Sequence, residues 1–176
     1  MTVSGAIPRP CFSPARHAAE SAGGKGHLHV VSSWARAFPG TPGQVSAARR
    51  FVAGLLPGSP LCDDAVVILS ELFTNAMLHT ASGAPGGLVI VQVSRWRQGV
   101  RIAVTDQGSP GQPVIRDPAA RAEPAESGHG LYLAACLASH LDWHDDATGR
   151  TIAAILGRPP TGHRSLPGLG SHPGSR

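Results

Sequence analysis

The stretch Leu61 to Thr80, LCDDAVVILSELFTNAMLHT, constrains the chain more than any other. Ala65, Ile68, Leu69, Leu72 and Ala76 recur at intervals of three and four, the period of a helix with one face buried. A second stripe on the same helix is polar. Glu71, Asn75 and His79 stand four apart, so their side chains stack along one face and can address a single ligand. Asn is a poor residue for mid-helix because its side chain competes for backbone hydrogen bonds, so a reason other than propensity places it there. The chemical reading of the stripe is a carboxylate able to act as general base beside an amide oxygen able to ligate a hard cation such as Mg²⁺. The plainer reading is a solvated helix face.

The rest of the chain is sized for one domain built around that helix: 176 residues, 41% of them apolar, can bury a single core. The net charge of +4 rests almost wholly on arginines, Lys25 being the one lysine, and they form no basic run or ladder. A nucleic-acid surface would need clustered charge or interleaved aromatics, so no direct nucleic-acid partner is expected. Cys11, Cys62 and Cys136 are odd in number and unrelated in position, which fits a reduced compartment better than a disulfide framework. Apolar runs such as Gly87 to Val93 are too short to cross a bilayer, and the N-terminus lacks a signal-peptide apolar core. A cytoplasmic protein without a membrane partner is the expectation.

In order along the chain, residues 1–26 mix proline, serine, glycine and alanine without an apolar period and read as a flexible leader. The run His27 to Phe38 reads as a strand. TPGQVSAARRFVAGLLPG reads as a first helix, with Pro42 near its start and Val45, Ala48, Val52 and Leu55 on one side. Ser59-Pro60 offers an N-cap and first-turn proline to the central helix, whose opening Asp63 and Asp64 suit its positive end. Leu88 to Trp96 has the composition of a buried strand, and Gln98-Gly99 turns it into a hairpin with VRIAVTD. Between Gly108 and Ser127 no period is sustained, and so long a loop suits a mobile lid over a site. Gly128 to Leu141 is again helical, with Leu131, Ala134, Ala135 and Ala138 inward. Strands around Asp142 to Asp145 and Thr151 to Leu156 flank a turn at Ala147-Thr148-Gly149. The domain therefore spans 27–157, and the breaker-rich 158–176 reads as a disordered tail.

Two further motifs carry chemistry. VTDQGSP delivers Asp106 from a strand end into a turn holding Gly108 and Pro110, where the carboxylate can accept a hydrogen bond from an exocyclic amine while glycine lets a flat ring lie against the backbone. In ESGHGLYL, Gly128 and Gly130 flank His129 where a loop enters a helix, so unblocked N–H groups and the helix N-terminus can face a phosphate. A simple turn and an ordinary glycine helix entry are the plain alternatives.

The ordered set ELFTNAMLHT, VTDQGSP and ESGHGLYLAACLASHLDW resembles the N, G1 and G2 boxes of the GHKL (histidine-kinase-like) ATPase superfamily, and more narrowly the small anti-sigma-factor serine/threonine kinases. The resemblance implies a Bergerat-type α+β fold: a two-layer α/β sandwich, its mixed and mostly antiparallel sheet covered by helices on one face. It implies ATP and Mg²⁺ as cofactors, Asn75 as metal ligand, and Glu71 as the general base. The nucleotide-binding set it implies is Asn75, His79, Asp106, Gly108, Pro110, Gly128, His129, Gly130 and Leu131. His129 stands where relatives often carry arginine or an apolar residue. No stretch offers the phospho-accepting hairpin of a sensor kinase or a transducer domain.

Weaker signals remain. Cys136, His140 and His144 stand four apart, a zinc-like spacing that the helix exit at Leu141-Asp142-Trp143 would break. Arg49 and Arg50 lie where the kinases have partner-facing surface, though a solvated face explains them equally. Neither G-x-S-x-G nor a Walker-type loop occurs. The function this points to is an ATP-dependent protein serine/threonine kinase acting on a small anti-anti-sigma factor, with that factor, a sigma factor or both as partners and a homodimer allowed. The alternative is an ATP-sensing module that sequesters a regulator without transferring phosphate. An interaction protein with vestigial boxes is a third class.

Overall fold

A computed structural model describes residues 30–109, 113, 115, 130–147 and 149–158. The elements run β1 (Val30–Pro39), α1 (Pro42–Leu55), α2 (Cys62–His79), a 3₁₀ turn (Ala81–Gly83), β2 (Leu88–Trp96), β3 (Gly99–Asp106), α3 (Gly130–Leu137), β4 (His140–Asp146) and β5 (Gly149–Gly157). The strands form one sheet in the order β1-β2-β3-β5-β4. Every neighbouring pair is antiparallel. The sheet expected to be mixed is thus antiparallel throughout its described strands. β4-β5 is a hairpin that docks through β5, so the crossover through α3 leaves β4 one strand removed from β3 rather than paired to it in parallel.

The α+β two-layer architecture follows from which strand face is apolar. Val89, Val91 and Val93 on β2, Val100, Ile102 and Val104 on β3, and Ile152, Ala154 and Leu156 on β5 share one core with the helices. From α2 that core receives Ala65, Ile68, Leu69, Leu72 and Ala76, the five residues of the sequence period, together with Phe73. Each fully buried Leu, Ile or Phe contributes roughly 1.5–3 kcal/mol. Phe38 ties three elements together: its ring meets Phe51 of α1 edge-on at 5.9 Å and Phe73 of α2 at 6.2 Å. On the other sheet face no helix packs among the described residues. There Ala103, Ala153 and Ile155 are buried outside the main core, in register with Gln92, Arg101, Asp142 and His140.

Several boundaries differ from expectation. β2 is half buried rather than buried, because Leu88, Ile90 and Gln92 point to the helix-free face. The N-cap of α2 is Leu61, without a side-chain cap; Ser59 lies before it and its Oγ accepts the Leu61 N–H at 3.3 Å. Asp63 and Asp64 do occupy the first turn. Helix α3 stops at Leu137, short of Leu141, because Ser139 is drawn to β5: its N–H donates to Ile155 O at 2.8 Å and its Oγ reaches Ile155 O and Gly157 O at 2.9 and 2.8 Å. His140 and His144 therefore lie on β4, not on one helix with Cys136. Among the described residues no group of three His, Cys, Asp or Glu could hold a metal, and no helix is long and apolar enough to cross a membrane. Cys62 and Cys136 are free thiols. Cys11, the leader 1–26, most of the expected lid and the tail beyond Arg158 fall outside the described residues.

Candidate nucleotide site

Helix α2 carries Glu71, Asn75 and His79 on one stripe, which runs about 12 Å at 1.5 Å per residue. Glu71 and Asn75 are half-buried and His79 is exposed in the last turn. Neither Glu71 nor Asn75 makes a side-chain hydrogen bond or ion pair among the described residues. Two oxygen-bearing groups one turn apart are thus directed out of the helix with no side-chain partner among the described residues.

Each end of the stripe meets another motif. At the first end, the opening of α3 closes on Glu71 so tightly that a Cβ on Gly130 would overlap Glu71 Oε2. Only a glycine lets that carboxylate lie against the first residue of the helix. Leu131, the next residue, turns its side chain into the core, so what it can offer a ligand is its backbone N–H. At the other end, the 3₁₀ turn after α2 is joined to the turn after β3, Ala81 N–H donating to Gly108 O at 3.1 Å. Thr80 makes the transition: its Oγ1 donates to Ala76 O at 2.6 Å and accepts the Ser82 N–H at 3.2 Å. Ser82 is fully buried, its Oγ donating to Leu88 O at 2.6 Å and accepting Gln107 N–H at 2.9 Å.

Asp106 ends β3 with 3% of its surface exposed. Its Oδ1 accepts the Gly108 N–H at 2.7 Å, and Oδ2 accepts no hydrogen bond among the described residues. Burial raises the carboxyl pKa above its ordinary value. The Gly108 N–H and the nearby Arg150 guanidinium oppose that rise, and Asp145 adds to it. Arg150 is itself buried and held by Asp145, with Nε to Oδ1 at 2.6 Å and Nη2 to Oδ2 at 3.2 Å. Gly108 has φ +76°, and among the described residues the place a side chain would take is bordered only by Gly149 Cα at 3.7 Å. That leaves room for a flat ring beside a carboxylate oxygen able to accept from an amine.

These donor sets suit a nucleotide. The Asp106 turn offers an acceptor and a bare backbone to a base, the start of α3 offers N–H groups to phosphate, and Glu71 and Asn75 are hard oxygen donors of the kind Mg²⁺ takes. Residues 38–156, more than half the chain, match the model of the histidine kinase-like ATPase domain. The chain belongs to that family. Membership implies ATP binding. Comparison with curated proteins gives no significant match.

Of the residues expected at the site, Glu71, Asn75, His79, Asp106, Gly108, Gly130 and Leu131 are described: the first three lie along α2, Gly130 meets the middle of α2 at Glu71, and Gly108 is bonded to the turn that follows α2. Pro110, Gly128 and His129 lie outside the described residues. The sequence reading passed over Ser82 and the Arg150–Asp145 pair. The first had a signal: in ASGAPGG a single hydroxyl stands among glycines, the mark of close backbone approach, and a Cβ on Gly40 or Gly87 would indeed overlap Ser82 O. The second had none, because Arg150 and Asp145 are joined by a strand register that spacing alone does not reveal.

Proposed function

We propose that this ATPase domain is a protein serine/threonine kinase of the anti-sigma-factor type, moving the γ-phosphoryl group of ATP to a hydroxyl on a small anti-anti-sigma partner. The observation that carries the reading is the seating of Glu71 against the first residue of α3, with Asn75 one turn along the same stripe. Glu71 Oε2 accepts the proton of the incoming hydroxyl as its oxygen bonds to phosphorus and the bond to the ADP oxygen breaks. Asn75 would hold Mg²⁺, which when bound would neutralise charge on the phosphates. Asp106 recognises the adenine amino group, Gly108 lies beside the ring, and the N–H groups of Gly130 and Leu131 face phosphate. The resemblance adds Pro110, Gly128 and His129 to this set, and all three lie outside the described residues. His79 closes the stripe at the base end.

The test is incubation with γ-labelled ATP, Mg²⁺ and candidate anti-anti-sigma and sigma factors. Label on a serine or threonine of one acceptor, lost with Glu71→Ala while ATP binding persists, is the expected result. ATP binding with no labelled acceptor instead identifies an ATP-sensing module that works by sequestration. Full transfer by the Glu71→Ala variant removes Glu71 from its role.

A further inference from the structure

The N-box helix and the Asp106 turn are far apart in sequence, yet one buried hydroxyl holds them together. Ser82 Oγ donates to Leu88 O at 2.6 Å and accepts Gln107 N–H at 2.9 Å, while Ser82 N–H donates to Thr80 Oγ1 at 3.2 Å. Gln107 returns the grip, its Oε1 accepting Leu88 N–H at 3.2 Å. Ala81 N–H reaches Gly108 O at 3.1 Å. The backbone on both sides of Asp106's partner Gly108 is thereby fixed to the turn that leaves α2. The backbones of Gly40 and Gly87 press on Ser82 O, so the residue cannot move aside. A hydroxyl with one donor and acceptor lone pairs is the smallest side chain that can satisfy a carbonyl and an N–H at once in a site closed to water.

We propose that Ser82 is a positioning residue for base recognition: it fixes residues 106–108 so that the Asp106 carboxylate meets an exocyclic amine, and so gives the site its preference for adenine. This rests on the reading of Asp106 as the adenine-recognising group. Without the Ser82 hydroxyl, Gln107 N–H and Leu88 O lose their shared partner, and the turn gains freedom where a carboxylate must be held to within a fraction of an ångström. The residue touches no nucleotide itself, so its effect must appear as lost discrimination between bases rather than as a general loss of affinity.

The experiment titrates wild type, Ser82→Ala, Asp106→Asn and the double variant calorimetrically with ATP and with purine riboside triphosphate, which lacks the exocyclic amine. Wild type is expected to prefer ATP, Ser82→Ala to lose about tenfold of that preference, and the double variant to match Asp106→Asn alone. An unchanged preference in Ser82→Ala, or losses that multiply in the double variant, overturns the inference. Should Ser82→Ala fail to fold by circular dichroism, Gln107→Leu carries the test, since Gln107 is exposed and supplies the other limb of the clamp. It is expected to lose part of the same preference, and an intact preference overturns the inference. A wild-type chain that binds ATP with no preference overturns the Asp106 reading and this inference together, and one that binds neither ligand overturns the functional reading itself.

Discussion

Glu71 of α2 places its Oε2 in the space that a Cβ on Gly130, the first residue of α3, would need. The overlapping atom is the end of a flexible side chain, so Gly130→Ala can be relieved by rotating the carboxylate away, and the fold has little reason to fail. Helix propensity even favours the change by up to about 1 kcal/mol. Gly130→Ala is therefore expected to melt within a few degrees of wild type yet, on the proposed kinase reading, to lose phosphoryl transfer by about tenfold or more, because the carboxylate proposed as base is displaced. A melting scan beside a transfer assay checks both. Wild-type transfer by a folded variant would show that the carboxylate's seat is immaterial.

Asn75 sets helix stability against ligand chemistry. It is half-buried in mid-helix and makes no side-chain hydrogen bond among the described residues. Alanine there should stabilise the chain by several tenths of a kcal/mol, since asparagine is the weaker helix former. The same substitution should abolish Mg²⁺-dependent ATP binding. Calorimetry with and without Mg²⁺ reads the second effect and thermal unfolding the first. A more stable variant that still binds Mg²⁺-ATP normally would take the metal away from Asn75.

The Asp106 carboxyl has its pKa raised chiefly by burial. A group with a raised folded pKa stabilises the native state fully only below its unfolded value, about 3.9 for Asp, and loses that contribution as pH climbs through the folded value. Above that unfolded value the buried carboxyl is therefore a cost to the fold. Asp106→Asn should raise Tm at pH 7, and the gain should vanish below about pH 4. It should also weaken ATP binding. A Tm gain that is equal at both pH values would mean that ionisation of Asp106 is not its source.

The central helix was legible because its buried and polar stripes share one unbroken period, and all five periodic apolar residues are buried in one core. Strand and helix ends were less so. Nothing local in GHGLYLAACLASHL says that the helix stops at Leu137; the cause is Ser139 bonding to β5, a partner sixteen residues away. The half-exposure of β2 was equally hidden, since Leu88 and Ile90 are apolar residues on a face that no helix covers among the described residues. At the site, spacing could set Glu71, Asn75 and His79 on one stripe, but only the tertiary fold could bring Gly130 to Glu71 and Gly108 to Ala81.

The buried Arg150–Asp145 pair yields the last prediction. The guanidinium has 7% of its side chain exposed against 48% for Asp145, so Asp145→Ala leaves a desolvated cation without its bidentate acceptor. With Asp145 partly in water, the expected loss is about 1–2 kcal/mol rather than that of a fully buried pair, and Tm should fall by roughly 3–10 °C. The site responds in the opposite sense. Removing Asp145 deletes a negative charge that helps raise the Asp106 pKa while Arg150, which lowers it, remains. Carbon-detected NMR titration of the Asp106 carboxyl should therefore find its pKa lower in Asp145→Ala than in wild type, even as the domain becomes less stable. A carboxyl whose pKa stays put or rises would mean that Arg150 swings away when Asp145 is removed, and that Asp145 holds the cation toward Asp106 instead of competing with it.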